Sequence, residues 1–475
     1  MTTGIDTDAT DLADALRNGR MSALEAVDEA LGQIRRLDGA LNAFVTIDED
    51  GARATARALD EQRAAGSVCG PLHGVPIAIK DVTATKGLRT TQGSRLFANF
   101  VPKADALSVS RLREAGAIIL GKTNTPEFAF GAVCTNDLCG PTRNPYDTTR
   151  TSGGSSGGSA VAVATGMAAL AQGTDFGGSV RMPASFCGIV GLRPAPGTIA
   201  DLDRSLAFSQ LATEGVLARS VRDAFLMLGA MSGSDPRDPL SIASVPCGHL
   251  PDRARIAASL DLGGSFPVDH EVASRFEEAC AEIETILGPL QFAAPDMTGA
   301  FATFKTLRAA ESWFRSRALV EKHADQLSPS FVWNVRQGEP LSAEDYLKAE
   351  AMRSAIWRRA MAFFERFDLL VMPSCSILPF ANEQEEVLEV GGQRLGSIID
   401  YLAPTAIISL IGFPALSIPA PRRPGALPFG LQLVVPPGRE PLLREMACRL
   451  ERNGFRHVPP ELAAFGSTHG GASDR

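Results

Sequence analysis

Three polar side chains stand where chemistry could begin. "GPLHGVPIAIKDV" (70–82) is a Gly/Pro-bounded apolar run that reads as a short buried strand, with Lys80 near its end. "SGGSSGGS" (152–159) carries Ser155 among glycines, and "GTDFGGSVRMPASFCGIVGLRP" (173–194) carries Ser179 after two more, 24 residues further on. A serine hydroxyl is a poor nucleophile unless its proton can leave as attack proceeds, and a lysine accepts a proton only when neutral. Val75, Ile77, Ala78, Ile79 and Val82 provide the desolvation that lowers a lysine pKa, while Asp81 alternates to the opposite side of the strand. A nucleophile, a proton conduit and a base are therefore present by type.

The glycine–serine run by itself admits other readings. A flexible linker would not lead directly into an Ala/Val helix, as this run does. A phosphate cradle ends in Lys–Ser/Thr at a helix start, whereas this run ends Gly158–Ser159–Ala160. The G-x-S-x-G elbow of α/β-hydrolases fits Ser155 and, slid by one residue, Ser156. That elbow needs a strand before the serine and a supporting acid and histidine after it. "NPYDTTRTS" (144–152) reads as turns, and no motif surrounds the downstream histidines.

The elements that must position these residues follow from periodicity. Residues 9–64 read as helix, from apolar positions three to four apart with charges outside. "SVSRLREAGAIILGKTN" (108–124) reads as helix, a stop at Gly116, and a strand Ala117–Gly121. "SAVAVATGMAALAQGTD" (159–175) repeats that step, with a break at Gly166 and an inner strand Ala168–Gly173. A helix and a strand between Ser155 and Ser179 return the chain beside its start, so the two loops can meet. Residues 252–350 are mostly amphipathic helix with strand signals such as Ala254–Ser259, and residues 405–435 return to apolar strand-like runs. The tail from Gly466 reads as disordered.

Composition narrows the function classes. Apolar residues make up 45% and charged residues 21%, an ordinary globular balance. A net charge of −8 leaves no basic footprint for nucleic acid or an anionic membrane. No apolar stretch reaches about 18 residues, and the N-terminus is acidic and polar, which argues against a membrane span or a signal peptide. The eight cysteines include no CxxC pair, and no metal-type Cys/His spacing occurs. Reduced thiols in a cytoplasm fit this pattern.

Six segments then make the pattern specific: "GVPIAIKD" around Lys80, "GKTNTPEF" (121–128), "GGSSGGS" (153–159), the Ser179 segment, "ARSVRDA" (218–224) and "SLIGFPALSIP" (409–419). In this order and with the 24-residue serine spacing, the chain resembles the amidase signature family of amide hydrolases. The resemblance implies Ser179 as nucleophile, Ser155 as a bridging serine after a cis peptide from Gly154, and Lys80 as terminal base. It implies backbone N–H groups of Phe176, Gly177, Gly178 and Ser179 as oxyanion donors, and Ala129 as a backbone position facing substrate. Arg181 is expected to order its loop rather than bind substrate. The implied fold is one α/β/α domain over residues 1–465, a large central mixed β-sheet flanked by helices. Within it the expected regions are an N-terminal helical segment (about 9–64), a catalytic core (about 70–230), a divergent helical pocket region (about 252–365) and a core return (about 366–460), before a disordered tail at 466–475.

The implied activity is hydrolysis of the C–N bond of a small carboxamide through an acyl-enzyme on Ser179. No metal or organic cofactor is implied, and the partner is a small-molecule amide, without nucleic acid or membrane and with a homodimer allowed. Transfer-RNA amidotransferase subunits of the family usually carry Gln where Met182 stands, and their Tyr–Gly and Ser–Leu–Asp motifs are replaced by "APGTIADLDRSLAFSQLATEG" (195–215). A chain that depends on partner subunits is therefore the alternative, with a Ser155 or Ser156 esterase behind it. A non-catalytic binding protein would have lost one of the three polar residues, and all three are present. Trp313, Phe314, Phe331 and Trp333 cluster in the divergent region and belong either to core or to pocket. With no cationic motif nearby, an apolar or aromatic acyl or amine group is expected, as in an anilide, aryl amide or acyl hydrazide.

Overall fold

Strands buried on both faces are apolar throughout rather than alternating, and Pro76–Lys80, Ala415–Pro419 and Gly430–Val434 are buried at every position. They belong to a mixed eleven-stranded sheet in the computed structural model, which describes residues 7–131, 133–243, 250–251, 253–384 and 386–462. From one edge its order is Phe44–Ile47, Ile118–Thr123, Pro76–Lys80, Leu170–Asp175, Thr213–Ala218, Val190–Arg193, Ala415–Pro419, Gly430–Val434, Leu369–Pro373, Ile256–Ala258 and Leu290–Phe292. The Lys80 strand runs parallel to both neighbours. Successive residues of Leu369–Pro373 enter opposite cores. Leu369 and Val371 pack with the helices His270–Leu287 and Glu440–Arg452, whereas Leu370 and Met372 pack with Ala300–His323, Ala343–Phe364 and Ala403–Ile411. The sheet is thus covered by helices on both faces. No helix among the described residues is long and apolar enough to cross a membrane.

Several sequence expectations shift. Residues 9–64 are not continuous helix: Ala9–Arg17, Ala23–Leu41 and Glu49–Ala64 are separated, and Phe44–Ile47 is an edge strand. Asn42, in the left-handed region at φ 56°, stops the second helix, and the Asp38 carboxylate accepts the N–H groups of Ala43 and Phe44 that follow. The inner strands run two residues later than expected at their ends, as Ile118–Thr123 and Leu170–Asp175. Residues 144–152 are not only turns, since Arg143–Asn144 and Asp147–Thr151 form a two-stranded hairpin. Residues 403–411, expected as part of a strand-like run, form a helix buried at every position and closed by Gly412 at φ 69°. An apolar run buried all round has no amphipathic period to betray it. The strand signal at 254–259 appears as Ile256–Ala258. The tail at 466–475 lies outside the described residues.

The glycine–serine run is an ordered turn entering the helix Gly157–Ala164. Gly153 sits at φ 76°. Gly158 donates to Asn124 O at 3.3 Å, and a Cβ on it would collide with the backbone nitrogen of Asn124 and the carbonyl of Ala43. The helix start therefore lies against the sheet with no space for a side chain.

At the end of the Leu170–Asp175 strand, Asp175 organises a fully buried cluster. Its carboxylate accepts Arg181 Nη2 at 2.8 Å and Nε at 3.0 Å, Arg193 Nη1 at 3.3 Å, Gly178 N at 2.9 Å and Val180 N at 3.2 Å. Arg181 uses its remaining donors on Thr405 O at 3.1 Å, Ser409 Oγ at 2.6 Å and Gln432 Oε1. Burial alone would raise the Asp175 pKa, but the two guanidinium groups outweigh it and hold the carboxyl well below the usual range.

These contacts set the cost of two substitutions. Gly158→Ala should lower the thermal midpoint, at a cost of about 1–3 kcal/mol for overpacking. Asp175→Asn leaves two buried guanidinium groups without a counter-charge, and breaking such a pair costs roughly 3–5 kcal/mol. A midpoint shift in Asp175→Asn no larger than that of an exposed Asp→Asn control would contradict this role.

Candidate active site

Lys80 closes its strand with a fully buried side chain. Its Nζ donates to Ser155 Oγ at 2.6 Å and to Thr174 Oγ1 at 2.9 Å, and its backbone N donates to Gln172 Oε1 at 3.2 Å. Burial pulls the Lys80 pKa down to about 7, opposed in part by Cys134 and Asp175. Asp81 does not pin it. That carboxylate accepts the Thr91 N–H and hydroxyl and faces Lys122 instead.

Ser155 follows a cis peptide from Gly154, as the resemblance implied. The Ser156 N–H donates to the Ser179 carbonyl at 3.1 Å, which fastens the two glycine loops together. Ser155 and Ser179 share the wall of a cavity of about 1300 Å³, with Lys80 outside its lining. Among the described residues no hydrogen bond joins the two serine hydroxyls, a contact that unliganded sites commonly leave long. Ser156 points elsewhere, within 3.4 Å of Thr174 O. No described histidine lines the cavity. His73 accepts from Cys69 N, and His457 Nδ1 lies 2.8 Å from Gly188 O.

The oxyanion expectation needs one correction. The Gly178 N–H is given to Asp175, so it is not a free donor. The N–H groups of Phe176, Gly177 and Ser179 have no partner among the described residues, and these three residues line the cavity. The glycines are required for space: a Cβ on Gly178, at φ 119°, would strike Thr405, and one on Gly177 would lie 3.0 Å from the Phe304 ring. Thr405 Oγ1 also donates to Gly177 O at 2.7 Å. Ala129 lines the cavity too, and Phe128 and Ala129 both hold left-handed backbone at φ 49° and 62°. Such non-glycine positions cost roughly 1–2 kcal/mol each. Glu127 supports them, accepting Ser94 Oγ at 2.6 Å and Ser328 N at 2.8 Å.

The divergent aromatics divide. Phe331 is core, packed 4.7 Å from Phe128 by ring centroid, and Trp313 packs against the same cluster. Phe314 and Trp333 line the cavity. Met182, in the position where amidotransferase subunits carry Gln, is buried in an apolar cluster with Cys375 and Tyr401. The expectation of no nearby cation is overturned, because Arg308 and Arg315 of the Ala300–His323 helix reach the same cavity. Sequence reading also passed over Thr174, Asp175 and Thr405, which hold Lys80 and the Ser179 loop. Their signal was proximity to the motif for the first two and none for Thr405. No described cluster of His, Cys, Asp and Glu is arranged to hold a metal.

Known proteins match this geometry over most of the chain. The family description Amidase matches residues 25–443. A glutamyl-tRNA(Gln) amidotransferase subunit from Moorella thermoacetica is 35% identical, covering 96% of this chain and 98% of its own. Among solved structures, one from a vestigial protein complex bearing on the origins of an s-triazine catabolic enzyme has a TM-score of 0.87 at 31% identity, over 95% of this chain and all of its own. A bacterial aryl acylamidase has a TM-score of 0.87 at 25% identity, over 98% of this chain and 99% of its own. With the family match, the eleven-stranded sheet and the buried lysine beneath paired glycine–serine loops all in agreement, the chain belongs to the amidase signature family and is a hydrolase of carbon–nitrogen bonds.

Proposed function

We propose that the enzyme hydrolyses small carboxamides with an apolar or aromatic acyl or amine part, such as anilides, aryl amides or acyl hydrazides, through an acyl-enzyme on Ser179. The observation that carries this reading is Lys80: buried, drawn down to a pKa of about 7, and 2.6 Å from Ser155 on the wall that also holds Ser179. As a cation Lys80 donates to both hydroxyls; once neutral it keeps a donor for Thr174 and offers a lone pair to the Ser155 O–H. As Ser179 Oγ attacks the carbonyl carbon, its proton passes to Ser155 and the Ser155 proton passes to Lys80. The oxyanion is met by the free N–H groups of the loop Phe176–Ser179. The C–N bond then breaks, the leaving nitrogen takes a proton back along the same chain, and water repeats the sequence on the ester. Phe130, Phe176, Phe304 and Trp333 support an aromatic substrate part, since their side chains face one cavity. The seven described cysteines, all unpaired, suit a reducing cytoplasm.

A second reading has a specific observation behind it: curated relatives at 33–36% identity are glutamyl-tRNA(Gln) amidotransferase subunits. It requires a partner chain for activity. The apolar setting of Met182 and the altered 195–215 segment support an enzyme that acts without one. Activity of the purified chain on anilides decides between them.

Ser179→Ala should abolish turnover with the fold intact, and Ser155→Ala should cost less, because water can partly replace the conduit. The acyl adduct should form on Ser179; an adduct on Ser155 or Ser156 would sink the assignment. For the wild type, kcat/KM should rise with pH through about 7, since Lys80 must lose a proton before it can act. Glu214 also lines the cavity, and burial raises its pKa to about 7. The limb should therefore survive in Glu214→Gln and vanish in Lys80→Ala, with a rate loss of about 10²–10⁴. Lys80→Arg should not rescue, because a guanidinium stays protonated.

A further inference from the structure

One cation on the cavity wall has no hydrogen-bond or ion-pair partner among the described residues. Arg308 is 8% exposed and lines the cavity that also holds Ser155 and Ser179. Its guanidinium lies over the Phe130 ring, 5.2 Å from the centroid. Among the described residues it makes no hydrogen bond and no ion pair. The contrast with buried Arg181, whose five N–H groups all find acceptors, is direct. Three carboxylates on the same wall are engaged elsewhere. Glu127 takes Ser94 and Ser328, Glu214 takes Ser108 and Gln172, and Glu311 takes Ser209. A desolvated guanidinium without an acceptor is costly, and its planar fork matches a carboxylate with two parallel N–H···O bonds.

Its place on the helix fixes what it can reach. Phe304, one turn earlier, touches the Ser179 loop: its ring is 5.9 Å from that of Phe176. Four residues advance a helix by about 6 Å, and side chains lean toward the helix N-terminus. The Arg308 side chain therefore leaves its helix on the side of the catalytic loop, and it lines the same cavity as Phe176, Gly177 and Ser179. Arg315 lies 5.9 Å from the Phe130 centroid and adds positive charge to the same wall.

We propose that Arg308 binds a carboxylate of the substrate, so that the preferred amides are acidic, with an apolar or aromatic part against Phe130 and a carboxylate a few bonds from the scissile C–N bond. This rests on the amidase reading above for the identity of the reacting bond. The carboxylate can sit on the acyl or the amine part, and paired probes separate the two: N-phenylsuccinamate against butyranilide, and 4-acetamidobenzoate against 4-acetamidotoluene.

Binding is measured by calorimetry on the full chain carrying Ser179→Ala, and kcat/KM on the active enzyme. In at least one pair the acid should bind about 10- to 100-fold more tightly than its neutral partner, the range of a charge-assisted contact. Adding Arg308→Met should remove that preference, lowering affinity for the acid far more than for the neutral member. Arg308→Lys, which keeps charge and stem but not the fork, should retain part of it and show the loss in KM rather than kcat. Equal binding of acid and neutral member in both pairs overturns the proposal without any Arg308 variant. So does an equal loss on both members in Arg308→Met or Arg308→Lys. An acid preference in binding without acylation of Ser179 would instead overturn the amidase reading and leave the carboxylate site standing.

Discussion

A carboxylate removed from water loses several kcal/mol of hydration unless cations and donors replace it. Asp175 receives both from within its own motif and from the strand Val190–Arg193, two places along the sheet: two guanidinium groups and two backbone N–H groups. Through Arg181 the same cluster extends to Thr405, Ser409 and Gln432, which lie more than 220 residues away in sequence. The loop bearing Ser179 is thus tied at once to the end of one strand, the middle of another and a buried helix. With Gly178 spent on Asp175, the N–H groups of Phe176, Gly177 and Ser179, which line the cavity, keep no partner among the described residues. The electrostatic cost of burying Asp175 and the free donors of the loop are two sides of one arrangement.

Lys80 shows the opposite use of the same interior. No carboxylate among the described residues forms an ion pair with it; Asp81 is held by Thr91, and Asp175 by its arginines. Pairing would keep the ammonium charged, whereas burial without pairing draws it toward neutrality at about 7. One buried ion is fully compensated and rigid, the other is uncompensated and able to take a proton. The separation of roles depends on the sheet. Lys80 and Asp175 end adjacent parallel strands, and Thr174, one residue before Asp175, accepts from Lys80.

Much of this was legible in the residues. The apolar run before Lys80 named both a buried strand and a shifted base, and the glycine–serine loops were recognisable from spacing and order. Their convergence also followed from the helix and strand between them. What escaped had physical reasons. The Ala403–Ile411 helix is buried on all sides, so its apolar run carried no helical period and Thr405 went unnoticed. The Phe44–Ile47 edge strand is four residues long and lies between helices. Gly178 was read as a donor because a sequence shows which N–H groups exist, not which are already taken. Arg308 lay in a segment whose surroundings no local pattern reveals, and it became visible only when the helix was placed against the cavity.

A neutral primary amine is itself a strong nucleophile toward esters, and the proposed mechanism forms an ester on Ser179 in every cycle. If Lys80 could reach that ester, aminolysis would move the acyl group onto nitrogen and leave a stable amide, an enzyme poisoned by its own base. Lys80 is fully buried and stands outside the cavity lining, with Ser155 between it and the cavity. A proton relays through a hydroxyl along hydrogen bonds alone, whereas moving the acyl group to nitrogen requires the amine to reach the ester carbon. Under the proposed mechanism the intervening serine would pass protons while holding the amine away from the ester, so a base active at neutral pH would be kept from self-modification.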